Sequence, residues 1–224
     1  MRAIIFGATG MVGQGVLREC LLDPQVESVA TVGRSTTGQQ HAKLKEILHD
    51  DLLRLAPIEA QLSGYDACFF CLGVASAGLT EEEYRRVTKD YAVSVAKTLA
   101  EKNAGMTFIF ISGAGADSTG KSRTMWARVK GEAENAVLQM PFKDAYVIRP
   151  AIIQPLHGIT SRTASYRIGY KVLWPVLSLS KALLPNYTTT TEALGRVMLK
   201  LAREGFSKKL LESRDINAFS KTLA

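Results

Sequence analysis

A doubly wound α/β fold on a parallel sheet is the architecture this sequence predicts, and three observations predict it. Short β-rich runs alternate with helical patterns from the first residues to about position 150. Several of these runs are apolar on both faces, as parallel strands covered by helices must be. A glycine-rich turn, "GATGMVG", closes the first run and opens a helix. With 224 residues, 46% apolar and 22% charged, the chain suits one domain over 1–224.

The first strand is expected at "RAIIF" (2–6), and the helix after the glycine turn at residues running to about Leu22. Further strands are expected at "SVATV" (28–32), "KEILH" (45–49), "DACFFC" (66–71), "MTFIFIS" (106–112) and "AYVIR" (145–149). A long helix starts at Thr80, where "TEEE" offers a capping box between Thr80 and Glu83. Tyr84, Val87, Tyr91, Val95 and Leu99 then follow at steps of three and four on one face. Another helix spans about 123–139. After "VIRP" the strand signals fade, and 166–184, 189–204 and the tail "SKKLLESRDINAFSK" read as helical. Residues 1–155 thus form the α/β core and 156–224 a helical C-terminal portion.

Composition excludes several classes of function. No apolar stretch reaches the roughly 18 residues of a membrane-spanning helix. The best candidate, "IGYKVLWPVLSLSKALLP", is interrupted by Lys171, Pro175 and Lys181. The chain enters its first strand directly after Met1, so no targeting segment is expected and the protein is placed in the cytoplasm. The net charge of +7 comes from scattered Lys and Arg, a solvated basic surface rather than a nucleic-acid interface. Cys68 and Cys71 form a C-x-x-C, but on a strand their α-carbons stand about 10 Å apart with side chains on opposite faces. That geometry excludes a disulfide. His41, His49 and His157 lack metal-ligand spacing, so no metal is expected.

Two glycine loops compete for a nucleotide. In "GATGMVG", Gly7 suits a tight turn, Gly10 a close backbone approach to a pyrophosphate, and Gly13 close packing of helix on strand. The helix N-terminus adds free N–H groups and a positive dipole end. On this reading Gly7, Thr9, Gly10, Met11 and Val12 hold the pyrophosphate of a dinucleotide. The second strand ends in "VGRS", without the acidic residue that accepts bonds from an NAD ribose. Arg34 and Ser35 suit a 2′-phosphate instead, so NADP(H) is favoured over NAD(H). The other loop, "GAGADSTGKS" (113–122), matches the triphosphatase pattern through Gly115, Gly120, Lys121 and Ser122. No later strand supplies the magnesium-binding acid such a site needs, so this loop is read as a polar surface connection.

These residues also resemble a known family. "GATGMVG", "VGRS", "HDDL", "FFCLG", "FIFISGAGAD", "WARVKGEAE" and "VIRPAI" stand in the order and spacing of atypical short-chain dehydrogenases/reductases, which share the NAD(P)-binding Rossmann fold. The nearest likeness is to the small Tat-interacting-protein-like group of NADPH-binding proteins. It covers nearly the whole chain, including "TTTEALGRVMLKL" and "KKLLESRDI" in the tail. The resemblance implies that Asp51, with Asp50 an equal neighbour, and Leu52 lie near the adenine. It places the backbone of Cys71, Leu72 and Gly73 along the cofactor, Lys130 on the nicotinamide ribose, and Pro150 with Ala151 beside the nicotinamide. It also makes 156–224 the substrate-side part.

Catalysis in that family rests on a serine at the end of the fifth strand and a Tyr-x-x-x-Lys on the next helix. Here the segment reads "MWARVK": Lys130 is present, and Trp126 occupies the tyrosine's position. An indole N–H donates a hydrogen bond but surrenders no proton. Ser112 stands at the strand end, with Gly113 in the following position. Ser112 and Lys130 are therefore the catalytic candidates of an incomplete centre. Tyr91 reads as packed, and Tyr166 and Tyr170 lie in a C-terminal part rich in apolar residues. The segment 168–184, with Trp174, reads as a packed helix, a pocket wall, or a membrane or partner contact. Two functions follow: an oxidoreductase or epimerase-like enzyme acting on a small carbonyl or alcohol, or a non-catalytic NADPH-sensing module. Its expected partners are an unidentified small-molecule substrate and a protein partner or a second copy of the chain.

Overall fold

The computed structural model describes residues 1–160, 184 and 186–222. Its centre is a seven-stranded parallel sheet. The strands are β1 (Arg2–Phe6), β2 (Ser28–Gly33), β3 (Leu44–Leu48), β4 (Ala67–Phe70), β5 (Thr107–Ile111), β6 (Asp144–Arg149) and β9 (Leu210–Glu212). Their spatial order is β3-β2-β1-β4-β5-β6-β9. A second, two-stranded parallel sheet pairs β7 (Ile152–Gln154) with β8 (Thr188–Thr190). The helices are α1 (Met11–Leu22), α2 (Glu81–Arg85), α3 (Tyr91–Lys102), α4 (Met125–Leu138), α5 (Thr191–Glu204) and α6 (Ser213–Lys221).

The strands bury both faces because their side chains alternate between two cores. Ala3, Ile5, Phe69, Cys71, Ile109 and Ile148 join α1 and α5 on one side. Ile4, Phe6, Cys68, Phe70, Phe108 and Val147 join α3 and α4 on the other. Cys68 and Cys71 thus lie in different cores, as free thiols whose pKa burial pushes up. On the α3–α4 side, Phe70 stacks on Phe6 at 5.9 Å and on Phe110 at 5.8 Å between ring centroids. Each such ring removed from water contributes about 1.5–3 kcal/mol.

The six expected strands of the core form in place. Thr80 caps α2 as read: its hydroxyl accepts from Glu83 N–H at 3.3 Å, and the Glu83 carboxylate accepts from Thr80 N–H at 2.8 Å. The long helix differs in one respect, a π turn at Arg86–Asp90 between α2 and α3. That wide turn shifts the phase of the buried stripe to Tyr84, Thr88, Ala92, Val95 and Leu99. Val87 and Tyr91 are turned aside, each only partly buried.

The C-terminal reading needs correction. The tail is not all helix, because Leu210–Glu212 pairs with Val147–Arg149 and extends the sheet. Residues 189 and 190 are extended in β8, as suits a run of β-branched threonines, and α5 begins at Thr191. Strands of three residues are too short to display an alternation. The expected helix over 166–184, with Tyr166, Tyr170 and Trp174, lies outside the described residues apart from Leu184. Among the described residues no helix is long and apolar enough to cross a membrane.

Candidate functional site

The strand order reverses direction between β1 and β4, and a ligand crevice in such sheets lies at the carboxyl ends of those strands. A cleft of about 250 Å³ opens there. Gly7 turns the chain out of β1 with φ +81°, and a Cβ on it would stand 2.6 Å from Leu72 N. A Cβ on Gly13 would stand 2.1 Å from the Gly7 carbonyl oxygen. The loop is therefore a cradle that only glycine permits. Gly10 N–H donates to Gly7 O at 3.0 Å and caps α1 without a side chain. The first turn of α1 carries no acidic residue, and its first N–H groups have no partner within the helix, just past the Gly7–Thr9 edge of the cleft. Thr9 lines the cleft, while Met11 and Val12 pack against the core at the head of α1.

Arg34 and Ser35, just past the end of β2, line the same cleft. Arg34 is exposed and, among the described residues, makes no ion pair. The glycine cradle, the open helix end and this unpaired guanidinium suit the pyrophosphate and phosphate groups of a dinucleotide. Asp50 rather than Asp51 faces the cleft. The Asp51 carboxylate instead closes a turn, accepting from Leu53 N–H at 3.1 Å and from Arg54 Nε at 3.1 Å. Those bonds, the Leu53 N–H foremost, hold its pKa below the usual carboxylate value. Leu52 forms part of the wall, its carbonyl held by Ser94 Oγ at 2.7 Å. Leu72 lines the cleft too, Cys71 N–H donates to Phe6 O beneath it, and Gly73 stands exposed beyond. Val87 and Tyr91, displaced by the π turn, complete the wall with Thr37, His49 and Val74. Tyr91 thus packs on the core and borders the cleft, a dual placement that helical periodicity alone did not show.

A second cluster surrounds β5 and α4. Ser112 Oγ donates to Glu134 Oε1 at 2.5 Å, and Glu134 is fully buried. Arg149 binds the same carboxylate through Nε at 2.8 Å and a terminal nitrogen at 2.5 Å. Ser118 Oγ donates to Glu134 Oε2 at 2.8 Å, and Arg149 reaches Glu212 at 3.0 Å. This network was missed because "WARVKGEAE" reads as an ordinary polar helix. The available signal was the four-residue step from Lys130 to Glu134, which puts both on one helix face.

Lys130 lies along Gly113: a Cβ there would meet its Cε at 3.7 Å. Ser112 and Lys130 are thus near neighbours, but the serine proton is committed to Glu134. Desolvation lowers the Lys130 pKa to about 8, against the opposing charge of Glu134. The Trp126 ring covers Gly115, whose Cβ would stand 3.1 Å from the indole Cη2. Pro150 O accepts from Ala114 N–H at 3.0 Å, and Ala151 N–H donates to Ser213 Oγ at 2.8 Å, so both sit at the foot of this loop.

The loop 113–122 closes on itself. The Asp117 carboxylate accepts from Thr119 N–H at 2.9 Å, Thr119 Oγ1 at 2.6 Å and Ser122 N–H at 2.6 Å. An internal anion occupies the donors that a triphosphate would require, and α4 starts three residues later than Ser122. The polar-connection reading of this loop agrees with the geometry.

The doubly wound parallel sheet, the glycine cradle at its switch point and the basic residue closing β2 define a NAD(P)-binding protein of Rossmann type. The chain belongs to the NAD(P)H-binding family, whose model matches residues 7–154. It is 30% identical over 207 residues to the mitochondrial protein FMP52-2 of Scheffersomyces stipitis, spanning 90% of this chain and 87% of that one. A short-chain dehydrogenase family protein from Francisella tularensis shares the fold with a TM-score of 0.65 at 14% identity, over 94% of this chain and 96% of that one. The Bordetella bronchiseptica enzyme WbmH, solved in complex with NAD+, gives a TM-score of 0.66 at 13% identity, over 94% of this chain and 74% of that one. The expectation of a cytoplasmic protein is corrected by these findings, because the sequence relatives carry names that place them in mitochondria. A short apolar strand directly after Met1 was too weak a basis for an address.

Proposed function

We propose that this chain is an NADP(H)-dependent oxidoreductase, or an epimerase-like relative, acting on a small carbonyl or alcohol. The observation that carries the reading is Arg34, an exposed cation without an ion pair among the described residues, in the lining of the same cleft as the glycine cradle. A guanidinium there suits a 2′-phosphate through paired, charge-assisted bonds, as a ribose-binding carboxylate would not. Gly7, Thr9, Gly10, Met11 and Val12 take the pyrophosphate; Ser35 assists Arg34; Asp50 and Leu52 border the adenine. Leu72 and the backbone of Cys71 and Gly73 run beneath the cofactor, and Pro150 with Ala151 border the nicotinamide. When bound, the dihydronicotinamide supplies a hydride. Lys130 holds the nicotinamide ribose, and the Ser112–Glu134–Arg149 network fixes the loop that carries Gly113 and Gly115. The mitochondrial names of the sequence relatives support placing this chain in that organelle.

A second reading, an NADPH-sensing module without turnover, draws support from Ser112 and Trp126. The serine proton is held by Glu134, and the indole surrenders none. Protein loaded with NADPH stereospecifically deuterated at C4 and offered a panel of aldehydes and ketones separates the two. Label in an alcohol product is the expected result. Tight NADPH binding with no transfer to any member of the panel leaves the sensing module.

A further inference from the structure

We propose that the ε-ammonium of Lys130 is itself the proton donor to the substrate oxygen, in place of a hydroxyl. The proposal rests on the oxidoreductase reading above. Its basis is that this lysine makes no ion pair among the described residues and that its stem lies along the bare backbone of Gly113. Gly113 presents no side chain to Lys130, the nearest approach of a Cβ there being 3.7 Å from Cε. Glu134, one helical turn along, is the natural partner for the ammonium. Both its oxygens are already engaged, Oε1 by Ser112 and Arg149, and Oε2 by Ser118 and Arg149. Glu134 is also the one charge that acts appreciably on Lys130 among the described residues, and it raises the lysine pKa only in part against desolvation.

The neighbouring donors are poorly suited to the task. Ser112 gives its proton to a carboxylate at 2.5 Å. Trp126, one turn before Lys130 on the same face of α4, lies over Gly115 with an indole that has no proton to yield. An amine that titrates close to neutral pH is an efficient acid at pH 7. The step balances simply. With a dihydronicotinamide bound, the carbonyl carbon would gain its new C–H bond from the cofactor's hydride, a two-electron reduction matched by oxidation of the cofactor. The C=O π pair takes a proton from Lys130 Nζ, giving an alcohol and a neutral amine, and water restores the ammonium. Above the lysine's pKa the donor is empty and reduction slows; below it the donor is filled.

Two measurements test the assignment. In the cofactor-free protein, acylation of Lys130 by an isotope-coded acetylating reagent is followed against pH by mass spectrometry. Reactivity with a midpoint near pH 8 is expected; a midpoint near the usual lysine value of about 10.4, or no reaction at any pH, overturns the proposal. In the NADPH complex, single-turnover deuteride transfer is compared between wild type and Lys130→Arg, which keeps the cation but not a proton it can release. Arginine is expected to slow transfer about 100-fold or more while NADPH still raises the melting temperature. Transfer surviving in Lys130→Arg to within about threefold overturns the donor role alone. Absence of transfer in the wild type with NADPH bound overturns the oxidoreductase reading and the donor role with it.

Discussion

Arg34 lies in the cleft lining just past β2. Its type and place were legible in "VGRS", because a strand end in this fold offers either a carboxylate or a cation to the ribose. On the proposed NADP(H) reading, Arg34→Ala would remove charge-assisted bonds of about 1.5–3 kcal/mol, and NADP(H) affinity is expected to fall roughly 10- to 100-fold. NAD(H) affinity, measured in parallel by quenching of protein fluorescence, stays within about twofold. An equal loss for both cofactors contradicts the assignment. Gly13 was equally legible, since only its lack of a side chain fits a 2.1 Å approach to Gly7 O. Gly13→Ala is expected to cost about 1–3 kcal/mol or more in urea unfolding, with the cofactor response lost as well. Asp50 and Asp51 were not separable, because the difference lies in which carboxylate caps the Leu53 turn. The commitment of Ser112 to Glu134 was hidden for a different reason: the two are brought together only when α4 packs onto the sheet.

At the scale of elements, strands and helices of the first 150 residues were legible because burial on both faces and capping chemistry leave local marks. The three-residue strands and the π turn leave none, being set by pairing and docking rather than by propensity. That π turn docks on α4 through Glu132, which meets Arg85 and, at 2.8 Å, Lys89. The Arg85 guanidinium first, then Lys89, lowers the Glu132 pKa to about 2. A carboxyl depressed in the folded state stabilises above its unfolded pKa, and the benefit drains as pH falls towards the folded one. Glu132→Gln is therefore expected to lose about 1–3 kcal/mol at pH 7. The gap to wild type narrows from about pH 4.5 downward. Urea unfolding between pH 3 and pH 7 checks this, and a pH-independent gap contradicts the ion pairing. Arg149→Met leaves Glu134 buried without its partner, and the same assay is expected to show a loss of about 3–5 kcal/mol.

At the scale of the molecule, the order of the parallel strands decides where chemistry can occur. The cleft lies at the reversal between β1 and β4, where the Gly7–Thr9 turn leads into α1 and the chain just past β2 brings Arg34 to its lining. The competing glycine loop, 113–122, is closed by Asp117 and lies beside β5, where it frames Lys130 and Trp126 instead. Ligand binding to the folded state alone adds about 2.7 kcal/mol at a hundredfold excess over Kd. For a chain of this size that is roughly 5–10 °C in melting temperature. Thermal unfolding in the presence of NADPH, NADH or ATP with magnesium therefore tests the central claim most directly. The account predicts a rise of that size with NADPH, a smaller one with NADH at equal concentration, none with ATP, and loss of the NADPH advantage in Arg34→Ala. Stabilisation by ATP with magnesium and none by NADPH would contradict it.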